Sequence, residues 1–160
     1  NIGKETANVA LGLGMDVLFV DPHVAKVNIS MKVAGQSIDV SLDSVPMAIM
    51  LANADAITLH IPFTGKAVIS EHEFNQMKKG VVLINAARGG TVDELALIKA
   101  LDSGQVAAAG LDVYDNEPSP RMELLTHPNI SMTPHIGAST NEAQDKVGLE
   151  LADQIIDFFK

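Results

Sequence analysis

The residues best suited to chemistry stand in the second half of the chain. Arg88 falls inside Asn85-Ala86-Ala87-Arg88-Gly89-Gly90, after a short apolar run, and is one of only two arginines. Its planar guanidinium fork matches a carboxylate and can orient the carbon beside it. His135 lies in Thr133-Pro134-His135-Ile136-Gly137-Ala138-Ser139-Thr140, where a strand pattern gives way to a Gly-Ala turn and then a helix. A histidine held rigidly at such a point can give or take a proton near neutral pH. Glu117, in Glu117-Pro118, is the candidate carboxylate for the other imidazole nitrogen, where it would fix the tautomer. Each residue alone has a plainer explanation: Arg88 as an ion pair to a sheet-edge carboxylate, His135 as a structural histidine. Together they favour a site that grips a small acid and moves a proton.

A second set lies near the start. Gly3 opens a helical pattern and Asp21 follows the apolar run ending Phe19-Val20. A dinucleotide fold needs a glycine-rich turn before its first helix and an acidic residue about 20 residues on, for the ribose hydroxyls. Gly3 would be the third glycine of that fingerprint; the alternative is a helix-start glycine and an ordinary Asp-Pro turn. If the fingerprint is real, Asp21 favours NAD over NADP, because a carboxylate repels a 2′-phosphate.

The elements that must position these residues alternate in kind. Strand-like runs occupy Asp16–Val20, Ile38–Val40, Ala56–Ile61, Val81–Asn85, Ala107–Val113 and Ile130–Thr133. Helical patterns cover Gly3–Leu13, Ser44–Ala52, Ser70–Met77, Val92–Ser103 and Asn141–Phe159. Asp43 and Ser70 read as N-caps, and Gly80 and Gly104 as helix stops. In the last helix Ala143, Val147, Leu151, Ile155 and Phe159 form one apolar stripe. Such alternation predicts one domain with a parallel sheet of right-handed βαβ units. Ligands then bind outside the carboxyl ends of the strands, where Asp21, His60, Arg88, Asp112 and His135 all fall.

Composition narrows the classes. A 160-residue chain with 47% apolar and 19% charged residues has the makings of a folded core. A net charge of −9 argues against a nucleic-acid backbone as partner. No cysteine is available for disulfides or thiolate metal sites, and no His/Asp/Glu set has metal-ligand spacing. No apolar run approaches the ~20 residues of a membrane span. His23, His72 and His127 sit in polar contexts and read as surface residues, and the methionines as core filler.

In this order and spacing, Asn85–Gly90, Gly110–Tyr114, Glu117-Pro118 and Pro134–Thr140 resemble the nucleotide-binding domain of the D-isomer-specific 2-hydroxyacid dehydrogenases. His60-Ile61-Pro62-Phe63-Thr64 matches that family's H-x-P-x-T turn, and His135–Gln144 is most similar to D-3-phosphoglycerate dehydrogenases. The resemblance covers nearly the whole chain. It implies a Rossmann-like, doubly wound α/β fold and Arg88, Glu117 and His135 as the catalytic set. The cofactor it implies is NAD, held by Asn1, Ile2, Gly3, Asp21, His60, Ile61, Pro62, Ala86, Arg88, Asp112, His135, Gly137 and Ala138. Asn1 and Ile2 would face the pyrophosphate, Asp21 the ribose, and Asp112 the nicotinamide carboxamide.

It also implies that residues 1–160 are most of one domain, entered after the second glycine and without the first strand or a substrate domain, and inactive alone. A cytoplasmic, homodimeric or larger enzyme acting on a 2-hydroxy or 2-oxo acid is the expectation, 3-phosphoglycerate first. A glyoxylate or hydroxypyruvate reductase and a dinucleotide-sensing corepressor on the same fold are the alternatives. An S-adenosylmethionine-dependent methyltransferase would share the strand-end acid but has no use for the Arg–Glu–His set.

Overall fold

A computed structural model describes residues 2–160 of the chain; Asn1 lies outside the described residues. Its centre is a four-stranded parallel sheet, β3 (Ala56–Leu59), β4 (Val81–Asn85), β5 (Val106–Leu111) and β6 (Ile130–Met132), paired in that order. The register runs straight across it, with Ile57 opposite Leu83, Leu83 opposite Ala109 and Ala109 opposite Ile130. Because all four strands are parallel, their carboxyl ends share one rim. Four of the six expected strands are thus found in the expected sheet.

The helices between them are α2 (Met47–Asn53), α3 (Glu71–Phe74), α4 (Glu94–Asp102) and the short α5 (Met122–Thr126), which the apolar pattern did not announce. α4 buries Ala96, Leu97, Ala100 and Leu101, one stripe at helical spacing. That stripe joins Leu51, Ile57, Ile69, Phe74, Leu83, Val106 and Leu124 in a single core. Asp93 caps α4 by accepting from Ala96 N at 3.0 Å, and Gly104 ends it with φ +70°. Ser70 stands at the N-cap of α3, where Glu73 reaches back to its backbone N–H.

Three expectations fail before α2. Asp16–Val20 forms no strand; Phe19 makes one isolated parallel bridge, to Ser44. Ile38–Val40 belongs to an antiparallel hairpin, β1 (Lys26–Val33) with β2 (Gln36–Asp43), not to the parallel sheet. The cause is a strict two-residue alternation. Val27, Ile29, Met31, Ile38, Val40 and Leu42 share one face, while Asn28–Ser41 and Ser30–Asp39 pair by hydrogen bonds on the other. A two-residue turn with Ala34 at φ +50° and Gly35 at φ +81° sets the register. Asp43, expected to cap a helix, is held in the ladder beside Lys26 at 3.2 Å, so α2 starts later, after Pro46.

The outermost helices are α1 (Ile2–Gly12) and α6 (Asn141–Phe158), and neither buries a residue. The expected apolar stripe of α6 is present but faces solvent: Val147 is 62% and Ile155 51% exposed. No described helix is long and apolar enough to cross a membrane.

Candidate active site

Arg88 is presented by a turn that polar groups and glycine build together. Buried Asn85, the last residue of β4, accepts from Ala87 N (3.1 Å) and donates to Arg88 O (3.2 Å) and Thr91 Oγ1 (3.0 Å). Thr91 Oγ1 also donates to Arg88 O, at 2.7 Å. A Cβ at Gly89 would lie 1.9 Å from Tyr114 O, and one at Gly90 would lie 2.7 Å from the Phe63 ring. Only glycine lets the turn pack this closely. The guanidinium touches Ala87 O at 2.6 Å and otherwise faces an exposed surface.

His135 stands beyond β6 with φ +55°, a left-handed conformation costing about 1–2 kcal/mol in a residue with a side chain. Asp112 offsets that cost. Its buried carboxylate accepts from Thr133 Oγ1 (2.5 Å), Ile136 N (2.8 Å) and Gly137 N (2.8 Å), holding the turn on both sides of His135. Burial alone would push the Asp112 carboxyl up. The three donors, with His135 nearby, outweigh it and hold the group below the usual carboxylate range.

Glu117 and His135 pair directly, Oε2 to Nδ1, at 2.7 Å. The other carboxylate oxygen accepts from Tyr114 N at 3.0 Å. The His135 bond first, then the Tyr114 N–H, holds the Glu117 carboxyl low. Tyr114 is buried and its hydroxyl donates to the carbonyl of Thr133 (2.5 Å), with Leu111 O also 3.0 Å away, tying the β5 end to the His135 turn. With Nδ1 engaged, Nε2 is the nitrogen left for a ligand. Arg88, Glu117 and His135 line one open cleft of about 760 Å³, with Phe63, Lys66 and Arg121 on its walls. That size suits a small molecule.

The other expected residues lie along the same rim or before it. Ile2 and Gly3 open α1, and a Cβ at Gly3 would approach His60 Cβ to 3.3 Å, so the helix start meets the end of β3. His60 Nε2 lies 3.2 Å from Thr58 Oγ1, and burial lowers its pKa. Ile61 and Pro62 follow, and Ala86 stands just past β4. Gly137 and Ala138 are exposed small residues, and a Cβ at Gly137 would come within 3.0 Å of Asp112 Oδ2. Asp21 is set apart from the cleft: its Oδ1 accepts from His23 N (2.8 Å) and Val24 N (3.1 Å), closing its own turn. Asn1 lies outside the described residues. Asp112, expected at a nicotinamide carboxamide, uses its oxygens on backbone and hydroxyl donors.

His127 departs from expectation. Its side chain is 9% exposed, with Nε2 3.5 Å from Asp102 and Nδ1 accepting from Asn129 N, because it fastens the end of α5. Residues that sequence reasoning did not single out include Tyr114, Asp115, Glu94 and Arg121. Adjacent Gly89 and Gly90 were the available signal that another backbone comes close there.

A parallel sheet with an Arg–Glu–His corner at its strand ends, beside a helix start and small residues, defines a nucleotide-binding domain of dehydrogenase type. The chain belongs to the D-isomer specific 2-hydroxyacid dehydrogenases: residues 1–137 match their NAD binding domain. It is 44% identical over 162 residues to a D-3-phosphoglycerate dehydrogenase of Archaeoglobus fulgidus, covering 99% of this chain and 29% of that one. It is 41% identical over 160 residues to a hydroxypyruvate reductase of Thermotoga maritima, covering 97% and 49%. Among solved structures, a glyoxylate reductase from Paecilomyes thermophila superposes with a TM-score of 0.78 at 35% identity, over 92% of this chain and 43% of the other. The chain therefore spans less than half the length of these relatives.

Proposed function

We propose that residues 1–160 form the cofactor domain of a cytoplasmic, homo-oligomeric dehydrogenase that interconverts a D-2-hydroxy acid and its 2-oxo acid, 3-phosphoglycerate and 3-phosphohydroxypyruvate first. The observation that carries this reading is the 2.7 Å Glu117–His135 pair facing the same cleft as Arg88. Arg88 binds the substrate carboxylate and carbonyl oxygen through its fork. His135 Nε2 gives its proton to the carbonyl oxygen in reduction and takes it from the hydroxyl in oxidation. Glu117 holds Nδ1 and so keeps Nε2 aimed at the substrate, as the buried carboxylate of a hydrolase triad does. Bound NAD would accept or return the hydride at the adjacent carbon.

The residues present fit that cofactor. Ile2 and Gly3 offer backbone at a helix start, the small Ala86, Gly137 and Ala138 permit close approach, and Asp21, His60, Ile61 and Pro62 border the adenosine side. Asn1 completes the set proposed for the pyrophosphate. Asp112 serves the nicotinamide half chiefly by shaping the His135 turn. The domain alone is proposed to be inactive, because it spans less than half the length of its relatives and the substrate domain of such enzymes is not among residues 1–160.

The test is NADH oxidation by the full-length protein with 3-phosphohydroxypyruvate, hydroxypyruvate and glyoxylate. Preference for the phosphorylated acid supports the reading; preference for either unphosphorylated acid makes the protein a reductase of the kind its Thermotoga relative is named for. NADH binding without turnover on any of the three would leave a dinucleotide sensor.

A further inference from the structure

Arg88 and Glu117 ride on different turns, one after β4 and one after β5, and a reaction needs both at a fixed separation. Those turns are stitched by a chain of hydrogen bonds that starts at a residue outside the catalytic set. Gly90 N donates to Asp115 Oδ1 at 2.7 Å, tying the Arg88 turn to the segment that precedes Glu117. Asp115 N then donates to Glu94 Oε1 at 2.8 Å, and Arg121 Nε donates to Glu94 Oε2 at 3.0 Å. Glu94 is the first residue of α4 and is 5% exposed. Neither of its described bonds goes to its own helix; both oxygens are spent on the segment after β5. A buried carboxylate is costly, and an apolar side chain would fill the place with less desolvation. The two bonds of Glu94 to the segment after β5 supply a role that an apolar side chain could not.

We propose that Glu94, braced by Arg121, is a positioning residue that sets the spacing between the Arg88 turn and the Glu117–His135 pair. The proposal rests on the dehydrogenase reading above. Glu94 borders the same cleft with both carboxylate oxygens already engaged, and it acts through Asp115 and the backbone of Gly90. Close packing of Gly89 against Tyr114 O leaves no slack: a shift of Asp115 is passed straight to Arg88.

The test uses the full-length protein and three variants, Glu94→Ala, Glu94→Gln and Arg121→Met. Two readouts are taken, kinetics with a 2-oxo acid and hydrogen exchange of the Gly90 and Asp115 amides. Glu94→Ala is expected to raise KM for the oxo acid about 10- to 100-fold, since misplacing a binding group by about 1 Å has effects of that order. The pH midpoint of turnover should stay in place, because His135 and Glu117 are untouched. Both amides should exchange faster. Glu94→Gln keeps one oxygen for Asp115 N but turns an NH₂ toward Arg121, so it should restore part of KM. Arg121→Met should fall between the two.

If Glu94→Ala or Arg121→Met lowers thermal stability while KM stays at the wild-type value, Glu94 is scaffold only and the inference is overturned. If Glu94→Ala does not fold, Glu94→Gln decides by the same KM criterion, and Arg121→Met, whose own side chain is on the cleft wall, decides by exchange of the Gly90 and Asp115 amides. A wild-type protein that turns over no 2-oxo acid defeats the dehydrogenase reading instead. Amide exchange then still answers for the brace: unchanged protection in the variants would overturn it.

Discussion

The rim formed by β4, β5 and β6 and the two outer helices are built on opposite terms. Around Arg88, Glu117 and His135 the turns are pinned by hydrogen bonds, and no buried side-chain nitrogen or oxygen among the described residues lacks a partner. In α1 and α6 no residue is buried, and Phe158 and Phe159 are 82% and 81% exposed. The chemical corner is therefore held by contacts within residues 56–139, whereas the outer helices draw little stability from this domain. Catalytic geometry and helix stability should respond separately to mutation.

The sharpest way to break that contrast is at the corner. His135→Ala in the full-length enzyme should lower turnover by about 10²–10⁴-fold, the usual worth of a positioned proton donor. Melting temperature should barely move, because the side chain is 44% exposed. Steady-state rates and a thermal melt on the same sample check both. A loss of less than tenfold would remove His135 from the reaction. Leu97→Ala works in reverse: the residue is fully buried in the core, so about 2–5 kcal/mol of unfolding free energy should go. Urea titration measures it.

Gly89→Ala tests how tightly the two turns are pressed together. A Cβ 1.9 Å from Tyr114 O has nowhere to go, and the obstacle is backbone. About 1–3 kcal/mol of stability should be lost to overpacking. KM for the oxo acid should rise as Arg88 is displaced, which steady-state rates on the full-length protein measure. Retention of both would mean that the turn can relax.

Legibility from sequence follows the same division. Arg88 and His135 stand just past short apolar runs, and parallel strands put such positions on one rim; Glu117 was the candidate carboxylate for the His135 ring, and the two do pair. Strands β3 to β6 were legible for the same reason. The hairpin was not, because Ile38–Val40 is too short a window to separate a buried parallel strand from one side of an alternating ladder. The alternation over Lys26–Val33 and Gln36–Asp43 did carry that information. The long-range bonds of Asp112 to backbone N–H groups 24 and 25 positions away carry no local sequence signal. Glu94, Asp115 and Arg121 are ordinary surface-type residues in sequence, and only tertiary contact gives them a task.

Acid should also separate the corner from the rest. The Glu117 carboxyl is held below its ordinary range by His135 and then by the Tyr114 N–H. A carboxylate lowered by folding adds stability above its unfolded pKa, and that share is lost as pH falls through the lowered folded value. The wild-type protein should therefore exceed Glu117→Gln in stability near neutrality, and the two should converge on the acid side. Because Glu117 is exposed, the gap will be small. Denaturant titrations at stepped pH would show it, and a gap that persisted in acid would mean that Glu117 stabilises by shape, not charge.

The smallest expected effect is the most direct probe of the outer helices. Val147 stands in the apolar stripe of α6 and is 62% exposed. In residues 1–160 alone, Val147→Ser removes almost no buried surface, so thermal stability should change by no more than about 0.5 kcal/mol. The same substitution in the full-length protein asks whether anything covers that stripe. An uncovered stripe predicts the same small change; a covered one predicts a loss nearer that of burying a valine, about 1.5–3 kcal/mol. A large loss in the 160-residue chain itself would break the contrast, because it would mean that α6 is held by this domain after all.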